Sequence, residues 1–481
     1  MTSVPATDEL PDQIKKRILV ACVMAIFLAA LDQTIVAPAL PVMAKQFNAW
    51  SDISWVVTSY LLVTTAVIPI YGKASDIYGR RPAMTVAISV FCVGSALCAL
   101  ATDILTLSLA RGIQGLGGGG LVALSMSVIG DIFAPRERGR YQGYISGIYA
   151  GAAVLGPTLG GVLSDLFGWP AIFWINLPLG ALALYVAYTG MRHLHHVSRP
   201  HYLDLPGAAL FVCGSSGLVL AMSSGGNRWD WLSVQILMLV GLAATAWLAL
   251  AVRVSRIDEA LISREVVTDR VVILALIAAF FGFGTLIAIS TYYPAYLQAG
   301  FGMTATQSGV AAIPMLLGTA IGATLSGKRL GHVENYKLIP VTGLGFAAAV
   351  CAALAYWLDD LSPSTLAALL PLVSAGIGSL LPVSMIVVQN AVERVHMGSV
   401  TSLMNFSRQL GAVILVALFG VVLFHGHPGV ITPEVAGKAV ETAPITVDRF
   451  ARLLGFAALI LALAALAIST IESRPLHATK R

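Results

Sequence analysis

The stretch Gly72-Lys73-Ala74-Ser75-Asp76-Ile77-Tyr78-Gly79-Arg80-Arg81 sets three bases and one acid between two long apolar runs, near 52–72 and 82–101. Runs of that length match the ~20 apolar residues that cross a bilayer core as a helix. A short charged segment between two of them reads as a tight turn at a membrane surface. In it, Gly72 lets two helices approach closely, and Asp76 can cap a helix N-terminus or pair with a base. Arg80 and Arg81 would hold the turn at the inner leaflet.

Outward from that turn the same pattern fills the chain. Its 481 residues are 57% hydrophobic and 11% charged, with a mean hydropathy of +0.83. A soluble domain carries about 25% charged residues, so most of this chain cannot face water. That excludes a cytosolic enzyme, a nucleic-acid binder and a disordered protein. The apolar runs fall near 18–40, 52–72, 82–101, 104–130, 141–164, 169–190, 205–223, 231–252, 270–298, 308–326, 338–357, 364–388, 399–424 and 450–471. If these are fourteen alternating spans, twenty-two of the 29 Lys and Arg residues lie on the face of the 72–81 turn and five on the other. The positive-inside rule then places both termini in the cytoplasm, in the inner membrane of the cell. Lys15, Lys16 and Arg17 precede an apolar run that carries Asp32, Gln33 and Pro38, so that run reads as an uncleaved span rather than a signal peptide.

Gly327-Lys328-Arg329-Leu330-Gly331 ends the tenth run as Gly72-Lys73 ends the second. The two copies sit at matching places in six-span blocks if spans 7 and 8 are an insert. The expected organisation is a bundle at 1–190, two inserted helices at 191–269 and a second bundle at 270–481. Repeated halves of this kind rock about a central site in many transporters.

Two charges fall deep inside the spans. Asp32 lies about fourteen residues into its run, ~20 Å along a helix. A carboxylate there costs ~2.5–3.5 kcal/mol on insertion scales, so such groups usually face a cavity or a partner and mark ion pathways. Arg111, seven residues into the fourth run, stays charged and can tune a neighbouring acid without carrying a proton itself. Asp32 is its natural partner, directly or through water. A structural acid, or a helix-to-helix bond through Arg111 and Gln114, is the competing reading. Arg408 begins the thirteenth run and reads equally as functional or as an interfacial anchor.

Several of these stretches resemble the major facilitator superfamily. Gly72 to Arg81 fits the pattern G-x-x-x-D-x-x-G-R-R, and Leu109-Ala110-Arg111-Gly112-Ile113-Gln114-Gly115 looks like the superfamily's arginine motif. Gly147, Gly151 and Gly156-Pro157-Thr158-Leu159-Gly160-Gly161 look like the motif of its proton-coupled exporters. Leu31-Asp32-Gln33-Thr34-Ile35-Val36 with Leu40-Pro41, Ile175-Asn176-Leu177-Pro178-Leu179-Gly180 and Arg408-Gln409-Leu410-Gly411 resemble the fourteen-span drug:proton antiporters of the EmrB/QacA type. Ala37 departs from that signature, where asparagine is usual, and the second loop copy lacks its acid. The resemblance implies an all-α integral membrane fold of two six-helix bundles plus two inserted helices. It also assigns proton coupling to Asp32 and Arg111, and an inner gate to Gly72, Asp76, Gly79, Arg80 and Arg81.

The small residues of the fifth span can also be read directly. Gly147, Gly151, Gly156, Gly160 and Gly161 would let helices pack backbone to backbone, and Pro157 would bend the helix. A hinge, a seal between halves and plain close packing all fit. Gln33, Gln114, Phe280, Tyr292, Tyr293 and Asn405 are the candidate substrate contacts, although the tyrosines equally fit an outer aromatic belt. The five cysteines lie in apolar runs without ligand spacing, and His193, His195, His196 and His201 fall in an inside loop, so no metal site is expected. The outer connection 425–449 reads as a solvated loop. Gly117 to Gly120 lie within a span and not at a strand-to-helix turn, so no nucleotide cofactor is implied and the proton gradient is the expected energy source.

The expected function is therefore not enzymatic: proton-coupled export of amphipathic, cationic compounds by alternating access. Its expected partners are a small-molecule substrate, protons and the lipid bilayer, in a monomer, with a periplasmic adaptor left open and no nucleic acid. An exporter of an endogenous metabolite or lipid, or an uncoupled facilitator, is the alternative.

Overall fold

The computed structural model describes residues 11–49, 52–133, 135–193, 203–226, 229–257, 260–330, 333, 335–393, 396–424 and 446–472. Fourteen helices in it are long and apolar enough to cross a membrane, the number the charge alternation gives. They are α1 (Asp12–Ile35), α2 (Ser54–Tyr78), α3 (Arg80–Ala99), α4 (Ile104–Ile132) and α5 (Pro135–Phe167). Next come α6 (Asn176–Gly190), α7 (Leu205–Ser224), α8 (Val234–Arg256), α9 (Arg270–Phe301) and α10 (Ala305–Leu330). The last four are α11 (Leu338–Trp357), α12 (Pro363–Ala391), α13 (Met397–Phe424) and α14 (Val447–Ser469). Helices are the expected form, because a lipid-exposed backbone must satisfy its own N–H and C=O groups.

Where the helices begin, polar side chains take over that task. Asp103, Asp204, Ser233, Asp269 and Ser362 accept backbone N–H groups at the starts of α4, α7, α8, α9 and α12. The N–H of Thr106 holds the Asp103 carboxyl below the usual carboxylate range. Between α2 and α3 there is one residue, Gly79, at φ +96°. Only glycine takes that conformation freely, so the turn of the motif depends on it.

Packing of the helices exposes a repeat. In the first six, α1 packs on α4, α5 and α6, α4 on α2 and α3, and α3 on α6. Adding eight to each number gives the packing of the last six: α9 on α12, α13 and α14, α12 on α10 and α11, and α11 on α14. The bundles meet through α2 against α13 and α5 against α10, which are equivalent under the same shift. α7 and α8 pair with each other, and α7 leans on α2 and α13 at one side of the seam. There Phe211 sets its ring edge against Trp247 and Phe406, with centroids 5.1 and 4.6 Å away. The architecture is two six-helix bundles plus an inserted hairpin.

Three local expectations are corrected. Asp76 belongs to the last turn of α2, not to a loop. Helix α13 begins at Met397, so Arg408 lies eleven residues inside it, ~16 Å from its start; it is buried and no interfacial anchor. The third concerns the glycines of α5. A Cβ at Gly156 or Gly160 would strike Thr34 or Ile35 of α1, whereas one at Gly147, Gly151 or Gly161 would meet nothing within 4 Å among the described residues. Only two of the five pack helix to helix here. His195, His196, His201 and residues 425–445 lie outside the described residues.

Candidate functional site

A polar cluster sits inside the first bundle, closed off by apolar side chains. Asp32 of α1, Gln114 of α4 and Asn176 of α6 are fully buried, as is Ser95 of α3, and Arg111 of α4 is 2% exposed. Arg111 Nη1 donates to Asp32 Oδ2 at 2.7 Å and to Gln114 Oε1 at 2.6 Å. Gln114 Nε2 and Asn176 Nδ2 each donate to Asp32 Oδ1 at 2.8 Å. Both amides also reach Ser95 Oγ, at 2.6 and 3.1 Å. Arg111 Nε donates to the Val56 carbonyl at 3.1 Å, and its guanidinium lies over the Tyr60 ring, 4.2 Å from the centroid.

Sequence spacing brings some of these groups together. Arg111 and Gln114 are three apart and so share a face of α4. α4 can sit this close because its glycines give way on both sides: a Cβ at Gly117 would enter the backbone of Phe91 in α3, and one at Gly119 the backbone of Thr64 in α2. With both partners present and their hydrogen bonds made, the pair is tolerable at this depth; removing one partner of such a pair costs about 3–5 kcal/mol.

A second cluster joins the two bundles at the end of the molecule where α2 finishes and α13 begins. Asp76 Oδ1 accepts from Gly398 N at 2.9 Å, and Oδ2 accepts from Ser399 N at 2.9 Å and Ser399 Oγ at 3.0 Å. An acid of the first bundle thus caps a helix of the second, where orphan N–H groups and the helix dipole favour a negative charge. Arg80 pairs with Asp76 at 2.8 Å and with Asp131 of α4 at 2.7 Å. A Cβ at Gly72 would collide with Ser402 and the Gly398 carbonyl, so this glycine permits the crossing. Arg81 lies over the Tyr188 ring, 4.1 Å from its centroid, and joins neither acid. Nearby, Arg138 Nη1 donates to Gln389 Oε1 of α12 at 3.2 Å, a second bond across the seam.

Between the bundles lies a cavity of ≈ 490 Å³, walled by α1, α2, α4, α5 and α7 on one side and by α9, α10, α12 and α13 on the other. Gln33 and Asn405 line it, as the sequence suggests. The other four candidate contacts do not. Gln114 is spent in the Asp32 cluster, and Phe280 lies behind the wall, its backbone against Gly411. Tyr292 is buried with its hydroxyl on the Val416 carbonyl at 2.9 Å, and Tyr293 is buried 6.4 Å from the Phe450 ring. Tyr292 and Tyr293 face their own bundle, toward α13 and α14, whereas Phe283 of the same helix does line the cavity. Asp32 is also absent from the wall, although its neighbours Ala30 and Gln33 are on it. The charged residue on the wall is Arg408, 7% exposed, and no acid lines it among the described residues.

Sequence reasoning gave no site role to four contributors. Asn176 was legible as an amide in an apolar run, and Asp131 as an acid at a span end. Ser95 and Gln389 carry no signal, since each is a small or neutral group in an ordinary helix until its neighbours are known. Among the described residues no cluster of His, Cys, Asp and Glu could hold a metal ion.

Known proteins share this architecture and sequence. The bacterial homologue of the iron transporter ferroportin, in an outward-facing state, superposes with a TM-score of 0.65 at 12% identity, over 95% of this chain and 98% of that one. The multidrug transporter protein MdtP of Bacillus subtilis is 30% identical over 441 residues, 91% of this chain and 81% of its own. An uncharacterized MFS-type transporter of Mycobacterium tuberculosis is 34% identical over 425 residues, 87% of this chain; the match spans 61% of that longer relative. The profile of the Major Facilitator Superfamily matches residues 22–416. With the repeated bundles, the cross-bundle cap on α13 and this match in hand, the chain belongs to the Major Facilitator Superfamily of membrane transporters.

Proposed function

We propose that this transporter is a proton-driven exporter of amphipathic compounds that works by alternating access. The observation that carries the reading is Asp32: a fully buried acid held by Arg111, Gln114 and Asn176, one layer behind a cavity shared by both bundles. A neutral, protonated Asp32 gives up most of its attraction for Arg111 and needs an acceptor for its new O–H. Asn176 Oδ1, which has no hydrogen-bond partner among the described residues, becomes that acceptor if the amide turns over. Protonation would then loosen α1 and α4 from each other, next to the helices that line the cavity.

The second part of the cycle is the gate. Asp76 on α13 and Arg138 on Gln389 hold the bundles together at one end, which favours access from the other. The lysine and arginine distribution supports placing the closed end, with both termini, in the cytoplasm. The relatives named for multidrug transport support a cargo with an apolar body, as does the largely apolar wall. One chain supplies both walls and both sides of the gate, so a monomer suffices.

The test is uptake into everted membrane vesicles of a panel of amphipathic acids, neutral compounds and amines, with and without an imposed pH gradient. Accumulation of at least one compound that collapses with the gradient supports the reading. Equal movement of all compounds without a gradient would mark a facilitator instead.

A further inference from the structure

Among the described residues, Arg408 is a buried cation without a counter-ion. Its side chain projects from the stripe Asn405, Arg408, Gln409, Ala412, Val413 and Val416, which recurs at helical spacing and turns one face of α13 to the cavity. Nη2 donates to the Leu381 carbonyl at 2.5 Å and to Ser384 Oγ at 3.0 Å, both on α12. Nε is buried with no hydrogen-bond partner, and no carboxylate forms an ion pair with the group among the described residues. Carbonyl and hydroxyl dipoles soften a guanidinium but do not neutralise it. Of the nearby first-bundle acids, Asp32 is already taken by Arg111, and Asp76 and Asp131 by Arg80.

From this arrangement we propose that the cavity selects acidic amphiphiles, and that the Arg408 guanidinium binds the cargo's carboxylate or sulfonate. The proposal rests on the transport reading and narrows it, replacing the cationic cargo expected from sequence with an anionic one. The guanidinium edge on the wall and the carboxamides of Asn405, which gives one N–H to the Thr401 carbonyl at 3.1 Å, and Gln409, one turn below and one residue above, provide the donors an oxyanion needs, while the phenol of Tyr149 stands on the opposite wall. An apolar body then lies against the apolar wall formed by α9, α10 and α13, which includes Phe283 and Leu286. A cation in the same place meets a like charge at short range in a site poorly screened by water. The acid can belong to a soluble compound or to a lipid headgroup; the chemistry at Arg408 is the same.

The test is equilibrium binding of tritiated 1-naphthaleneacetate to the purified full chain in phosphatidylcholine nanodiscs, competed by 1-naphthaleneacetamide and by 2-(1-naphthyl)ethylamine. These share one aromatic body and differ in charge. Wild type should bind the acetate roughly ten- to hundredfold more tightly than the amide, as for a charge-assisted hydrogen bond, and the amine should not compete. Arg408→Gln should erase that preference. Ser384→Asp, which sets a carboxylate beside the guanidinium and leaves Arg408 in place, should erase it too and serves if Arg408→Gln does not fold. Replacing part of the phosphatidylcholine by phosphatidylglycerol separates the sources: loss of acetate binding identifies the lipid headgroup, and unchanged binding a soluble acid. Failure of wild type to bind the acetate, equal or tighter binding of the amine, or a preference that survives both substitutions overturns the proposal. Because no gradient is applied, these outcomes are independent of whether transport is proton-driven.

Discussion

At the scale of single residues, the decisive fact is that Asp32 and Arg111 are paired, buried and hydrogen-bonded throughout. Arg111→Gln leaves a carboxylate stranded in the bundle, so we expect about 3–5 kcal/mol of lost stability. Adding Asp32→Asn removes the stranded charge and should restore part of it. Thermal unfolding of both single variants and the double variant in detergent checks this; an additive loss would mean that the two groups do not interact. Asn176→Leu removes one donor to Asp32 and the acceptor proposed for its proton. It should slow transport at least tenfold, read as initial uptake rate at matched expression. The depth of Asp32 and Arg111 was legible in the sequence because charges in apolar runs are conspicuous. Gln114 and Asn176 stood out as amides in apolar runs, but Ser95 did not, since it acquires meaning only when α3, α4 and α6 converge. Arg408 was left equally open to function and anchoring because it was taken as the start of a run that begins near 399, so nine residues of depth were overlooked.

At the scale of helices, the glycines of α5 divide into two groups that sequence alone treats as one motif. Gly156 and Gly160 touch α1, so alanine there forces the helices apart and should cost about 1–3 kcal/mol by overpacking. Gly147 and Gly151 face open space, and alanine should raise stability there by up to about 1 kcal/mol through helix propensity. Thermal shifts of the four alanine variants decide the matter, and a uniform loss would contradict the division. If Gly151→Ala keeps its stability but loses transport, that glycine serves the opposite conformation. Tyr292 and Tyr293 of α9 teach the same lesson. Their crowding was visible in the sequence, but their direction was fixed by Val416 and Phe450 on helices more than a hundred residues away.

At the scale of the whole molecule, two bundles related by a shift of eight helices enclose one cavity and are locked at one end. The number of spans and the inserted pair were legible because charge alternates and apolar runs are long. The lock was only half legible: the acid and bases of the 72–81 segment were visible, but its receptor is the N-terminus of α13, over three hundred residues downstream. Asp76→Asn should weaken that lock by on the order of 1–2 kcal/mol, roughly a tenfold shift toward the open end. Spin labels at the exposed ends of α2 and α10, at Tyr78 and Arg329, should report longer distances in this variant. Unchanged distances would remove Asp76 from the gate. The central claim, that Asp32 carries the coupled proton, is tested most directly in everted vesicles with any compound the wild type accumulates. Accumulation driven by the pH gradient should vanish in Asp32→Asn while exchange of the compound down its own gradient continues. A folded Asp32→Asn protein that still concentrates the compound in proportion to the pH gradient would contradict the account.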